Sequence, residues 1–201
     1  MDRREQIAHL AATREEEMLL VRVCEKLDTA VQRDIPAATN FLSKREQMLV
    51  CEVLRGAPIR FFGGLSTAER EISCYLPDYL DEDWLTGEDG PVAAVRAAFF
   101  ERDSLSHRDF LGALMGCGIK RETVGDILCG DGLAVSFVDE DVAPFLCGQL
   151  TKVGGEGVTV TAGYTGALPA GRAYAPIRDT VASPRLDAVV KALIGTSREE
   201  A

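Results

Sequence analysis

The first part of the chain, residues 1–55, places apolar side chains at helical spacing. Met18, Val21 and Cys24 recur at three-residue steps with charged residues between them, and a similar spacing returns over residues 48–54. Apolar positions three or four residues apart lie on one face of a helix. The pattern therefore predicts a helical N-terminal region that buries one side of each helix.

One helix start is visible in this region. Ser43 is followed three residues later by Glu46, which is the S-x-x-E pattern of a capping box. In that motif each side chain satisfies a backbone N–H of the other residue at the helix start. The sequence therefore predicts that residues 40–43 separate two helices and that the second one begins after Ser43.

The hydrophobic period changes after Pro58. Ile59–Phe62 and Ile72–Leu76 are short apolar runs, and the segment that joins them begins with Gly63 and Gly64. Two such runs joined by a glycine-rich loop predict a β-hairpin. A loop of this kind can also form a nest of N–H groups that binds an anion. The plain hairpin turn is the simpler interpretation, and the two glycines are candidates for close backbone approach.

A regular alternation of elements follows an acidic, glycine-containing loop. The predicted elements are a strand at Ala93–Phe100, a helix at Ser106–Cys117, strands at Val124–Cys129 and Leu133–Val138, a helix at Val142–Thr151 and a strand at Val158–Tyr164. The order β-α-β-β-α-β is that of the ferredoxin-like fold, which RNA-recognition (RRM-like) modules use but which many other proteins share. The fold class expected for the whole chain is α+β.

The changes of pattern also divide the chain. We expect an N-terminal helical region with a hairpin at residues 1–90 and a ferredoxin-like central domain at 91–168. A linker at 169–182 and a short C-terminal piece at 183–201 follow.

The charge and hydropathy of the chain limit the classes of function that it can have. The net charge is −10, but residues 61–103 hold three basic and ten acidic side chains, so most of the excess lies in one segment. The negative net charge argues against nucleic-acid binding at first sight. Because most of this charge lies in one segment, the rest of the chain can still present a basic face. No apolar run has the length of a membrane span, so we expect a cytoplasmic protein.

The six cysteines show no C-x-x-C pair, and the chain has two histidines. Reduced thiols in apolar surroundings are the expected state, and neither a metal nor another cofactor is expected. The cysteines are Cys24, Cys51, Cys74, Cys117, Cys129 and Cys147.

The most distinctive stretch runs from Ser106 to Asp126. Ser106 fits the N-cap of a helix with Asp109 in its first turn. A glycine inside a helix costs about 0.5–1 kcal/mol relative to alanine, so four glycines in one stretch indicate that something approaches the backbone closely. These glycines are Gly112, Gly116, Gly118 and Gly125. Gly118 fits the left-handed position that ends a helix.

Basic residues flank the same helix. His107 and Arg108 stand at its start, and Lys120 and Arg121 follow its end. Cationic side chains near a helix C-terminus can simply complement the helix dipole. They can equally contact a phosphate backbone, and the residues alone do not choose between the two.

His107-Arg108-Asp109 matches the first letters of the protein-kinase catalytic loop. The asparagine that this loop requires is replaced by Leu114, and the chain has no glycine-rich ATP loop. A catalytic role for these residues is therefore not expected.

The strand at 132–138 weakly resembles an RNA-recognition strand. Such strands carry two or three aromatic side chains that stack on bases, and this one carries Phe137 alone. Phe99, Phe100 and Phe137 are better interpreted as core residues.

The C-terminal segment carries the pattern R-L-D-x-x-V at Arg185–Val190, followed by S-R-x-x-A at Ser197–Ala201. This resembles the opening of the RNA-binding domain named after ribosomal protein S-four. Together with F-F-G-G at Phe61–Gly64, L-P-D-Y at Leu76–Tyr79 and the block His107–Ile127, it resembles the YlmH family over essentially the whole chain.

The resemblance implies a non-enzymatic RNA-binding protein that associates with the large ribosomal subunit. Its expected RNA partners are ribosomal RNA or tRNA, and its expected setting is the rescue of stalled ribosomes. On this hypothesis the basic residues His107, Arg108, Lys120 and Arg121 are expected to contact RNA. The resemblance implies further contacts at Arg185, Asp187, Ser197 and Arg198 in the S-four-type piece. The chain ends at Ala201, at the start of that domain's second helix, so we expect only its N-terminal fragment here.

Two other classes stay open. The acidic segment Asp78–Asp103 would suit a protein-interaction module, and the gene neighbourhood of the family is linked to cell division. S-four-type domains also accompany RNA-modifying enzymes, but neither the length nor the motif of a pseudouridine synthase is present. The sequence does not indicate the oligomeric state.

Overall fold

A computed structural model of the chain describes residues 2–87, 89–170, 178–181, 183 and 185–194. The chain divides into two compact units, Met1–Ala170 and Gly171–Ala201. The class is α+β, as predicted, with helices and antiparallel sheets in the larger unit.

Three helices open the larger unit: α1 (Arg3–Leu10), α2 (Arg14–Arg33) and α3 (Lys44–Val53). The Thr13 side chain accepts a hydrogen bond from Glu16 N at the start of α2. The predicted capping box of α3 is confirmed, because Ser43 N donates to Glu46 Oε2 at 2.6 Å and Glu46 N donates to Ser43 Oγ at 3.4 Å. Their buried faces share one core that includes Leu20, Leu27 and Val50.

The predicted hairpin is present as β2 (Ile59–Phe62) and β3 (Ile72–Tyr75), which pair antiparallel. A two-residue strand that the sequence does not reveal, β1 (Ala37–Ala38), pairs with the other side of β3. The resulting sheet has the order β1-β3-β2.

A second sheet has the order β5-β6-β4-β9, and all its neighbours are antiparallel. Its strands are β4 (Val92–Ala98), β5 (Val124–Gly130), β6 (Leu133–Asp139) and β9 (Thr159–Ala162). The helix α4 (His107–Gly116) connects β4 to β5, and α5 (Ala143–Gln149) follows β6. A small hairpin of β7 (Lys152–Val153) and β8 (Glu156–Gly157) precedes β9.

The two faces of the four-stranded sheet are both covered. Residues that pair directly, or that lie two apart on one strand, share a face of the sheet. Ala94, Phe137 and Val135 therefore lie on one face, which is the face opposite to α4 and α5. That face packs against Phe41 and Ile72 of the N-terminal region. The opposite face forms a core with the two helices, including Val95, Phe110, Leu114, Val138 and Leu146.

The segment after β9 extends this cover. A Cβ on Gly130, at the far edge of the sheet, would lie 3.0 Å from Pro169 Cβ. Tyr164, whose hydroxyl donates to Ala167 O at 2.7 Å, packs partly buried against the same core as Phe137. Residues 163–169 therefore cross from the β9 edge to the β5 edge.

All six cysteines lie among the described residues and are free thiols. Cys24 and Cys74 are buried, but Cys51 is exposed, so the expectation of a core position is wrong for Cys51. Cys51 lies on the outer side of α3, whereas the apolar residues close to it in the sequence point toward the core. No described group of His, Cys, Asp or Glu is arranged to hold a metal ion.

The smaller unit contains one helix in its described part, α6 (Leu186–Ile194). At its start Arg185 Nε donates to Asp187 Oδ1 at 3.0 Å. None of the helices in the described part of the chain has the length and apolar character needed to span a membrane.

Candidate nucleic-acid interface

Local sequence signals set the ends of α4 as predicted. Ser106 donates to Asp109 Oδ2 from its backbone N at 2.8 Å and from Oγ at 2.6 Å. The hydrogen bond from the Ser106 hydroxyl has the largest effect on the pKa of Asp109, and together with the bond from the backbone N–H it holds that pKa below its usual range. Asp109 is thus a capping residue. At the other end Gly118 has a φ of +81°, the left-handed conformation predicted for it.

The outer face of α4 is smooth. Arg108, Gly112 and Gly116 are each four residues apart, so they follow one exposed stripe. A Cβ built at Gly112, Gly116 or Gly118 would meet no described heavy atom within 4 Å outside its immediate surroundings. The close approach predicted at these three glycines is therefore not made by another part of the described fold. Approach by a second molecule stays a prediction.

The other three candidate glycines are held by the fold itself. A Cβ on Gly125 would lie 2.5 Å from the Phe41 ring, and one on Gly63 would lie 2.4 Å from Ala68 Cβ. At Gly64, with a φ of +87°, it would lie 2.1 Å from the Phe137 ring. Gly64 and Gly125 therefore permit the N-terminal region to pack directly on the sheet, whereas Gly63 leaves room for the loop that follows β2.

Asp126, directly after Gly125, ties the same surfaces together. Its carboxylate accepts from Glu69 N at 2.7 Å and from Arg70 N at 3.2 Å. Phe41 N donates to Glu122 O at 2.8 Å close by. The contacts of Gly64, Gly125 and Asp126 therefore form one junction between the hairpin region and the sheet.

The predicted basic residues do not form a single cluster. His107 is half-buried and Arg108 exposed at the start of α4, whereas Lys120 is exposed beyond its end. A helix of ten residues is about 15 Å long, since each residue rises by about 1.5 Å. Any ligand that contacts both pairs has to extend along the helix.

Arg121 has a part in the fold that its position in the sequence does not indicate. Its guanidinium donates to Val124 O and, at 3.5 Å, to Gly125 O. Burial, followed by the nearby charge of Arg70, lowers the pKa of Arg121. It is half-buried, and its replacement would disturb the junction as well as any RNA contact.

In the smaller unit, Arg185 is exposed and paired with Asp187. The remaining two predicted contacts of the S-four-type piece, Ser197 and Arg198, lie outside the described residues.

The aromatic expectations are met in part. Phe137 is buried, with 5% of its surface exposed, and Phe99 packs on Phe110 with ring centroids 5.7 Å apart. Phe100 is 67% exposed, so its assignment to the core is wrong. The guanidinium of Arg102 lies 5.0 Å from its ring centroid. Phe100 lies two residues beyond the end of β4, where the pattern of buried positions no longer applies.

The structure also forms an open cleft that the sequence does not reveal. Its volume is about 540 Å³, and we call it the cationic cleft because Arg22, Lys26, Arg70 and Arg121 line it. The acidic side chains on its walls are Glu46 and Glu122. In sequence, Arg22 and Lys26 look like the solvated face of a helix, so only the tertiary arrangement brings them into a site.

Close to Lys26 lies a carboxyl group with an unusual pKa. Burial raises the pKa of Asp139 to about 6, with Lys26 opposing the shift. At pH values between the ordinary pKa of an aspartate and about 6, the folded state holds a proton that the unfolded state has released. The free energy of unfolding therefore falls as the pH rises through that range.

We therefore expect Asp139→Asn to raise the free energy of unfolding by about 1–2 kcal/mol above about pH 6, since solvent screens part of the cost of the buried charge. Near pH 4 the substitution should have little effect, because Asp139 is then neutral. Urea unfolding at both pH values measures this difference. The control is Asp131→Asn, in an exposed turn that asparagine suits equally well. An equal gain at both pH values would contradict the assignment of the effect to Asp139 ionisation.

Comparisons with known proteins agree with the sequence motifs. Residues 99–164 match the family model described as a putative RNA-binding domain in YlmH. A Bacillus subtilis protein named ribosome-associated protein quality control protein P2 is 34% identical over 166 residues. The match covers 81% of this chain and 63% of that protein, so this chain spans less than two thirds of its relative.

A solved structure named cell division protein ylmH from Streptococcus pneumoniae has a similar fold, with a TM-score of 0.59 at 16% identity. The likeness covers 77% of this chain and 94% of that one. The family model and the B. subtilis relative together support the resemblance of this chain to the YlmH family.

Proposed function

We propose that this protein binds RNA and acts in association with the ribosome. The match of residues 99–164 to a family model for an RNA-binding domain is the observation that carries the proposal. The name of the B. subtilis relative, a ribosome-associated quality control protein, supports the ribosomal setting. Neither description names an enzyme, and we propose a non-enzymatic role in the rescue of stalled ribosomes, with the large subunit as the partner.

We further infer that the matched region has the ferredoxin-like fold. The strand order β5-β6-β4-β9, with α4 and α5 on one face, supports this classification. RNA-recognition domains of this fold stack bases on the open face of the sheet. Here Phe137 and Val135 are covered by the N-terminal region, so RNA has to bind elsewhere.

The outer stripe of α4 is the surface that we propose for RNA. It has a cationic side chain at one end, Arg108, and Lys120 beyond the other, with glycines between them. A stripe without side chains lets a phosphate backbone approach the helix, and the two cations supply the attraction. His107 and Arg121 would contribute at the ends, and Arg185, Asp187, Ser197 and Arg198 would belong to a separate contact in the S-four-type piece.

The double variant Arg108→Glu with Lys120→Glu tests this surface. We expect it to weaken binding to a labelled RNA hairpin about tenfold or more and to flatten the salt dependence, because two phosphate contacts are lost. Fluorescence anisotropy over a series of salt concentrations measures both quantities. The change spares Arg121, whose hydrogen bonds to Val124 and Gly125 hold the fold.

The matched control is Arg4→Glu with Arg33→Glu, which changes the net charge equally at exposed positions on α1 and α2. Equal loss of affinity in both variants would show that total charge, and not the α4 surface, governs binding. Absence of RNA binding by the unmodified chain would contradict the proposed function as a whole.

Co-sedimentation with separated ribosomal subunits tests the ribosomal partner. We expect the chain to sediment with the large subunit at low salt and to dissociate as salt increases. Sedimentation with neither subunit would favour the protein-interaction role, for which the name of the S. pneumoniae structure suggests a setting in cell division.

A further inference from the structure

The cationic cleft combines side chains from three distant parts of the chain. Arg22 and Lys26 come from α2, Arg70 from the loop between β2 and β3, and Arg121 from the turn before β5. For a chain of net charge −10, four cations lining one cleft are an unusual concentration of positive charge.

Two of these cations lie at the junction of the hairpin region and the sheet. Arg70 donates from Nε to Val124 O at 3.1 Å and from Nη2 to Phe41 O at 2.7 Å. Arg121 shares the acceptor Val124 O. A guanidinium carries five N–H donors, so these bonds leave donors on both side chains. Among the described residues neither forms an ion pair within 4 Å.

Four carboxylates lie on the walls of the cleft or close to its cations. Glu46 accepts from Ser43 N as part of the capping box, and Asp126 accepts from the backbone N–H groups of Glu69 and Arg70. Glu122 is exposed on the wall of the cleft, and Asp139 lies near Lys26. These hydrogen bonds leave the charges of Glu46 and Asp126 in place, and both carboxylates favour the charged form of Arg70. Of the residues that line the cleft itself, four are cationic and two are acidic, so the lining carries a net positive charge.

Two half-buried guanidiniums side by side repel each other, and burial adds to the cost of their charge. An anion between them would offset both effects, and a planar guanidinium suits the oxygens of a phosphate. The half-buried side chain of Leu19 lines the same cleft and offers an apolar contact to a sugar or base. The volume of about 540 Å³ is ample for a nucleotide unit, since small-molecule sites are about 300–1,000 Å³.

We infer that the cationic cleft is a second RNA site, which binds the phosphodiester backbone between Arg22 and Lys26 on one wall and Arg70 and Arg121 on the other. This inference rests on the proposed function. Lys120 and Arg121 are consecutive, so the cleft begins where the α4 surface ends. One RNA strand can therefore run along α4 and enter the cleft.

The variant Arg22→Glu with Lys26→Glu tests this site in the full chain. Both residues are exposed on α2, so the change spares the junction. We expect the affinity for a fluorescein-labelled oligouridylate to fall about tenfold or more, and the slope of log affinity against log salt to decrease by about 0.7 per lost contact. Fluorescence anisotropy at several salt concentrations measures both.

Arg14→Glu with Arg33→Glu is the matched control, since it makes the same charge change on the same helix outside the cleft. We expect the control to keep nearly the full affinity and salt slope. If the cleft variant binds no more weakly than this control while the unmodified chain binds RNA, the cleft assignment is overturned and the proposed function stands.

If the unmodified chain binds no RNA, the proposed function fails and the RNA assignment of the cleft fails with it. Inorganic phosphate and uridine monophosphate serve as competitors at equal phosphate concentration. Displacement of the oligouridylate by either one would identify a small-anion site and would also overturn the assignment to an RNA backbone.

Discussion

Replacing Gly64 by alanine is expected to lower the free energy of unfolding by about 2–5 kcal/mol, because it combines a strained backbone with a steric overlap. The φ of +87° disfavours any side chain, and the new Cβ would lie 2.1 Å from the Phe137 ring. Phe137 is itself buried between the sheet and the N-terminal region, so it has little room to move. Urea unfolding followed by circular dichroism measures the loss.

Two other glycines separate the contributions. Gly118→Ala has a comparable φ of +81° but open space around the new Cβ, so it measures backbone strain alone. Gly112→Ala has neither problem and lies inside a helix, so it should stabilise the protein by about 0.5–1 kcal/mol. If Gly64→Ala costs no more than Gly118→Ala, the loop moves away from Phe137 and the packing argument fails.

Asp126→Ala is expected to lower the free energy of unfolding by about 2–4 kcal/mol, because two backbone N–H groups lose a charged acceptor. These are the amides of Glu69 and Arg70, which are 2.7 and 3.2 Å from the carboxylate oxygens. The change also removes the carboxylate that stabilises the charges of Arg70 and Arg121. Denaturant unfolding measures the loss, and hydrogen exchange at the two amides locates it.

Asp126→Asn provides the graded comparison, since the amide keeps one acceptor oxygen and loses the charge. It should show an intermediate loss and leave one of the two amides better protected than in the alanine variant. Unchanged exchange at both amides in Asp126→Ala would show that the junction does not depend on this carboxylate.

Local signals in the sequence predict local structure well here. The capping boxes at Ser43 and Ser106 and the left-handed Gly118 each depend on residues within one helical turn, and all three are present. The strand β1 is not predicted, because its two alanines are held by pairing with β3 and not by their own propensity.

The candidate site depends on contacts between residues that are far apart in the sequence. Gly125 looks like the other glycines of its block, but it contacts Phe41, which lies far away in the chain. Arg121 looks like a free cation after a helix, but its guanidinium binds carbonyls of the following strand. The cationic cleft joins residues from Leu19 to Glu122, so no local pattern could have predicted it.

The covered sheet face has a consequence for how the protein can be divided. A fragment that begins at Pro91 would keep α4 and the match to the RNA-binding model but would expose Val135 and Phe137 to water. A contiguous apolar surface of this kind promotes self-association. RNA measurements on such a fragment would describe an aggregate, so the N-terminal residues belong in any version of the protein whose RNA binding is to be measured.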